Sequence, residues 1–129
     1  MVKNVEAWNA RKWTWRKEGD LYLPGWHFSI VDGPGEGIEA FDEALLPDEL
    51  VIRTRITGDR MEPFGSKGKT KKLQDIFTEA KIPQEQRGAW PVVLAENTII
   101  WVPGLRRAQF APITDNTKNI YIKAETLSF

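Results

Sequence analysis

The chain has 129 residues, 41% hydrophobic and 28% charged, which suits one globular domain with its own core and excludes a disordered tract. It has no cysteine, so disulfides and thiolate zinc sites are excluded and a reducing compartment is favoured. Its 18 basic and 18 acidic residues cancel, but residues 1–50 carry 5 basic against 10 acidic side chains and residues 51–107 carry 11 against 6.

In chain order, Trp13 and Trp15 alternate with Thr14 and Arg16, the period of a half-buried strand. A Glu18-Gly19-Asp20 turn leads to Leu21 and Leu23, and after Pro24-Gly25 the residues Trp26, Phe28 and Ile30 share one face. The glycine-rich stretch Asp32–Gly37 is a loop. Leu50, Ile52, Thr54 and Ile56 then alternate with Val51, Arg53 and Arg55. One segment departs from this period. Leu73, Ile76, Phe77 and Ala80 have the i, i+3, i+4, i+7 spacing of an amphipathic helix, predicted over about 71–80. Pro83 starts a second helical turn at about 83–88, and Trp90-Pro91 returns the chain to extended form. Further strands are predicted at Val92–Ala95, Thr98–Val102 and Asn119–Ala124, the first two joined at Glu96-Asn97. The expected class is α+β, mostly β: a sandwich-like core of short strands with one helix and a short helical turn.

Catalytic groups are scarce. His27, the only histidine, stands between Trp26 and Phe28 and reads as a partly buried structural residue. No Gly-x-Ser-x-Gly elbow, Walker loop or dinucleotide fingerprint occurs. Asp42 and Glu43 lack a nearby histidine and read as surface carboxylates. No catalytic residue, metal site or cofactor is expected in this chain. No apolar run reaches the roughly 18 residues of a membrane span, and Met1-Val2-Lys3-Asn4 lacks a secretion-signal layout. The expectation is one cytoplasmic domain over residues 1–129 with no membrane partner.

The charge asymmetry fits a face that meets an anion, although a solvated surface gives the same totals. Arg53 and Arg55 leave one face of a strand, and a loop with Gly58, Asp59, Arg60, Pro63 and Gly65 follows. Lys67, Lys69, Lys71 and Lys72 then gather where the helix should begin. That end already carries about half a positive charge, so lysines are the wrong sign there unless a phosphate is bound. The alternative is that they splay into water. Asp59 is expected to brace the loop. Of the tryptophans, Trp13, Trp15, Trp26 and Trp101 fall on core faces, which leaves Trp8 and Trp90 as surface aromatics.

The run Arg53-x-Arg55-x-x-Gly58-Asp59-Arg60-x-x-Pro63-x-Gly65, with Lys71-Lys72-Leu73-x-Asp75-Ile76-Phe77, resembles the C-terminal domain of tRNA(Ile)-lysidine synthetases. Lys81-Ile82-Pro83, Arg87, Pro91 and Ile99-Ile100-Trp101-Val102-Pro103-Gly104-x-Arg106 extend the likeness over residues 42–107. The resemblance implies a β-sandwich that grips tRNA(Ile) near the acceptor stem. It further implies a parent ligase that uses ATP and magnesium to attach lysine to the wobble cytidine. In the family that chemistry belongs to an N-terminal domain with a Ser-Gly-Gly-x-Asp-Ser loop. No Ser-Gly-Gly occurs here, so the catalytic domain is expected to be absent and the rest of the enzyme to be a partner. The expected RNA contacts are Arg53, Arg55, Arg60, Lys67, Lys71 and Lys72, with Lys81, Arg87 and Arg106 secondary. Gly58, Asp59, Pro63 and Gly65 would shape the loop. The competing reading is a protein-interaction or homodimerisation module whose lysines serve solubility.

Overall fold

The structure is a computed structural model and describes residues 11–112 and 118–127. In chain order its strands are β1 (Lys12–Trp15), β2 (Leu21–Leu23), β3 (Trp26–Val31), β4 (Ile38–Asp42), β5 (Leu50–Thr54), β6 (Arg60–Met61) and β7 (Lys71–Lys72). Helices α1 (Leu73–Glu79) and α2 (Gln84–Arg87) follow, then β8 (Pro91–Ala95), β9 (Thr98–Val102), β10 (Arg106–Arg107) and β11 (Asn119–Thr126). They form an antiparallel five-stranded sheet β1-β5-β8-β9-β10, a four-stranded sheet β2-β3-β11-β4 and the small ribbon β6-β7.

The continuous apolar runs of β8 and β9 reflect a sheet covered on both faces. Leu50, Ile52, Val93 and Ala95 point into the sandwich, against Trp15, Phe28, Phe41 and Ile122. Val92, Leu94, Ile99 and Val102 point the other way, onto Leu73, Ile76 and Phe77 of α1. In β9 the alternation slips because the register shifts: Leu94 faces Ile99 and Val93 faces Trp101, with Ile100 the extra residue. This bulge sends two consecutive side chains, Ile100 and Trp101, into the sandwich core.

The strands and helices match the predicted class, with three differences of detail. The helix starts at Leu73, because Lys71-Lys72 pair with Arg60-Met61 as a ribbon and the Leu73 N–H donates to the Asp59 carbonyl at 3.0 Å. Strand β4 has no clear alternation, yet it pairs with β11 along Ile38–Asp42. Asp42 at its end is buried, and its side chain accepts from the Ala44 N–H at 3.0 Å to cap the 3₁₀ turn Glu43–Leu45, so it is not a surface carboxylate.

Trp90 is not a surface aromatic either. It packs against both cores, edge-on to Trp26 at 5.2 Å and to Phe77 at 6.1 Å, and its indole N–H donates to the Pro103 carbonyl at 2.9 Å. Trp8 lies outside the described residues. His27 is half-buried, 2.9 Å from Asp20 and stacked on Tyr22 at 4.4 Å.

Candidate nucleic-acid interface

The basic segment begins on β5, where Arg53 shares the strand face of Val51 and turns toward the helical layer. Its guanidinium meets Asp59 through two bonds, Nη2 to Oδ1 at 2.9 Å and Nη1 to Oδ2 at 3.0 Å. Asp59 Oδ2 also accepts from the Ile56 N–H at 2.7 Å. These bonds fix the turn Ile56–Asp59, whose third residue, Gly58, sits at φ 92°, a region that glycine occupies without strain. The paired side chains are only 14% and 11% exposed, so Arg53 and Asp59 form an internal brace of the fork-to-carboxylate kind.

Arg55, half-buried, lies over the Phe77 ring at 6.0 Å and lines a cleft of about 430 Å³. The turn 55–59 forms one wall of that cleft and Lys72–Gln74 at the start of α1 the other. Gln84 and Arg87 of α2 complete the lining. Arg87 is buried, however. Its Nε donates to the Ile82 carbonyl at 2.8 Å and Nη1 to Thr78 Oγ1 at 3.3 Å, and its guanidinium lies 5.8 Å from the Phe77 ring. It therefore acts as a strut between α1 and α2 and is not displayed as a surface cation.

The ribbon β6-β7 carries the remaining cations. Arg60 is exposed and bonds Thr70 Oγ1 at 3.1 Å through Nε. Lys71 is tied to the Glu79 carboxylate at the far end of α1, whereas Lys72 opposite Arg60 is exposed. Between the two strands the chain makes successive turns, Pro63–Ser66 and Ser66–Lys69. Gly65 at φ 84° and Gly68 at φ 90° occupy the left-handed positions, and Lys67 is drawn there too at φ 58°.

This loop is fastened to β10 and the residues after it. Phe64 N–H donates to the Arg107 carbonyl at 2.9 Å, Gly65 N–H to Gln109 Oε1 at 3.0 Å, and Pro63 bridges Ala108. Lys67 and Lys69 are exposed on the loop, and Arg106 is exposed on β10. Lys81 is exposed past α1, at φ 58°.

The structure thus divides the expected contacts. It displays Arg60, Lys67, Lys72, Lys81 and Arg106, sets Arg55 in the cleft, engages Arg53 and Arg87 internally, and pairs Lys71 with Glu79 at the surface. The sequence suggests Arg107 as part of a basic surface with Arg106, but the structure turns it inward. Its guanidinium donates to the carbonyls of Ala40, Ala108 and Phe110 and lies 4.4 Å over Phe41 and 5.6 Å from Phe64. Burial lowers its pKa from the ordinary arginine value, opposed by the charge of Glu39. The signal was available, because two arginines in succession on a strand must point to opposite faces.

Among the described residues no group of three histidines, aspartates or glutamates is placed to hold a metal ion, and no helix is long and apolar enough to cross a membrane. The surface can hold anions through displayed cations.

Residues 50–124, from the start of β5 into β11, match the family model described as the TilS substrate C-terminal domain. The chain belongs to this family. A TilS C-terminal domain of known crystal structure superposes with a TM-score of 0.77 at 31% identity, covering 92% of this chain and 100% of that one. The tRNA(Ile)-lysidine synthase of Symbiobacterium thermophilum is 47% identical over 72 residues, 55% of this chain and 15% of the relative. That of Bacillus licheniformis is 39% identical over 112 residues, 79% of this chain and 23% of the relative. This TilS C-terminal domain therefore spans less than a quarter of the curated relatives it matches.

Proposed function

We propose that this domain grips the acceptor-stem region of tRNA(Ile) on behalf of a cytoplasmic tRNA(Ile)-lysidine synthase. The remainder of that enzyme is its partner and uses ATP with magnesium to attach lysine to the wobble cytidine. One observation carries the reading: an anchored ribbon and its loop display Arg60, Lys67, Lys69 and Lys72, and Lys72 lines the same cleft as Arg55. Duplex RNA is held chiefly through phosphates and 2′-hydroxyls, so cations on a fixed frame are the groups such a grip needs. Arg53, Asp59 and Arg87 serve the grip indirectly, by holding the turn and the helices in place.

The test is binding of the 129-residue chain to an isoleucine tRNA acceptor minihelix across a salt series. Neutralising about four to six phosphates gives a slope of about −3 to −5 in log K against log salt. Replacing Lys67, Lys69 and Lys72 together with alanine should flatten the slope by roughly 2 to 3. Absence of binding at low salt overturns the proposal in favour of a protein-interaction module.

A further inference from the structure

Among the described residues, three large apolar side chains stand exposed: Tyr22, Leu45 and Phe64. Tyr22 already stacks on His27, with Asp20 and Glu125 beside that ring, a setting that repels phosphate. Leu45 has no ring. Phe64 differs from both. It is 54% exposed although its backbone is held, since its own N–H is bound to Arg107, Pro63 before it is buried in a bridge to Ala108, and Gly65 after it is bound to Gln109.

The Arg107 guanidinium lies 5.6 Å from the ring, and Lys67 and Lys69 are exposed on the same loop. Of the nearby carboxylates, Glu39 faces Arg107 at 3.9 Å, and Glu62 at the base of the loop is half-buried. An open aromatic ring on a held backbone, with a guanidinium beside it and two exposed lysines on its own loop, offers the pairing that unpaired nucleotides need, a surface for the base and charges for its phosphates.

We infer that Phe64 is a stacking platform for an unpaired nucleobase, placed where the single-stranded 3′ end adjoining an acceptor stem can reach it. The inference rests on the proposed tRNA grip and adds a contact to it. Duplex phosphates are held by the lysines of the ribbon, and the first unpaired base lies on Phe64. Stacking on a phenyl face tolerates every base, so this contact reads the presence of a single-stranded end and leaves its sequence unread.

The experiment compares two minihelices, one blunt and one with an unpaired 3′ tail carrying 2-aminopurine next to the last pair. The wild-type chain should bind the tailed helix more tightly and quench the 2-aminopurine at saturation. Phe64→Leu should bind the tailed helix about tenfold more weakly, the size of one base–aromatic stack, with the blunt helix unchanged and no quenching. Phe64→Tyr should restore both signals. Equal loss for both helices, or undiminished quenching by Phe64→Leu, overturns the inference while the tRNA grip stands. A wild-type chain that binds neither helix sinks the functional reading and this inference with it.

Discussion

Toward the four-stranded sheet, β5, β8 and β9 contribute to a core of interlocked rings, with Trp101 edge-on to Phe28 at 6.2 Å and to Phe41 at 6.4 Å. Toward α1 the same strands offer Val92, Leu94, Ile99 and Val102 to a helix of seven residues, and cations crowd the margin. Arg55 and Arg87 both lie over Phe77 there, and Arg53 is locked to Asp59. One face is an apolar jigsaw. The other is a thin apolar layer whose rim is organised by guanidinium groups, and those groups set the shape of a charged surface that must stay fixed while it is exposed. A sheet used on both sides can give stability on one and display on the other.

The largest effect should come from the sandwich. Trp101→Ala removes the ring shared by Phe28 and Phe41 and should cost about 3–5 kcal/mol, read as a lower midpoint in urea unfolding. Next is the brace on the opposite face. Arg53→Ala leaves the Asp59 carboxylate almost buried without its partner and should cost roughly 3 kcal/mol by the same measurement. An effect at Arg53 as weak as that of removing an exposed lysine such as Lys72 would break the distinction between brace and surface cation. The smallest effect on stability should be that of Lys72→Ala. Its side chain is exposed, so the unfolding midpoint should move by no more than about 0.5 kcal/mol while the salt slope for RNA falls by about 1.

Much of this was legible in the residues. The two-residue period marked β1, β3 and β5, and the short apolar runs marked β8 and β9, because burial on a pleated sheet imposes those patterns. The helix was visible in Leu73, Ile76 and Phe77. Its start was not, since Lys71 and Lys72 are shared between a helix periodicity and a long-range pairing with Arg60 and Met61. Strand β4 was hidden for a related reason: its identity comes from β11, more than seventy residues later, and local propensity carries no trace of that partner.

At the candidate site, residue type predicted charge but could not separate display from brace. Arg53 and Arg87 look like Arg60 and Arg106 in the sequence. Only the placement of Asp59, Thr78 and the Ile82 carbonyl sorts them. Trp90 was misread because a tryptophan next to proline at a strand entry gives no sign that two cores meet there.

Strand β11 has a consequence for how the chain is made. It lies between β3 and β4, so those two strands have no ladder with each other, and each waits for the same late segment. On the ribosome, β8 and β9 can zip together across the Glu96-Asn97 turn as they emerge, and β5 pairs with β8 once the segment 55–90 has followed it out. Until residue 126 is released from the tunnel, β3 and β4 present unpaired backbone edges and the aromatic core is roofed on one side only. Between the emergence of β4 and that of β11, the nascent chain is thus open to mispairing along β3 and β4.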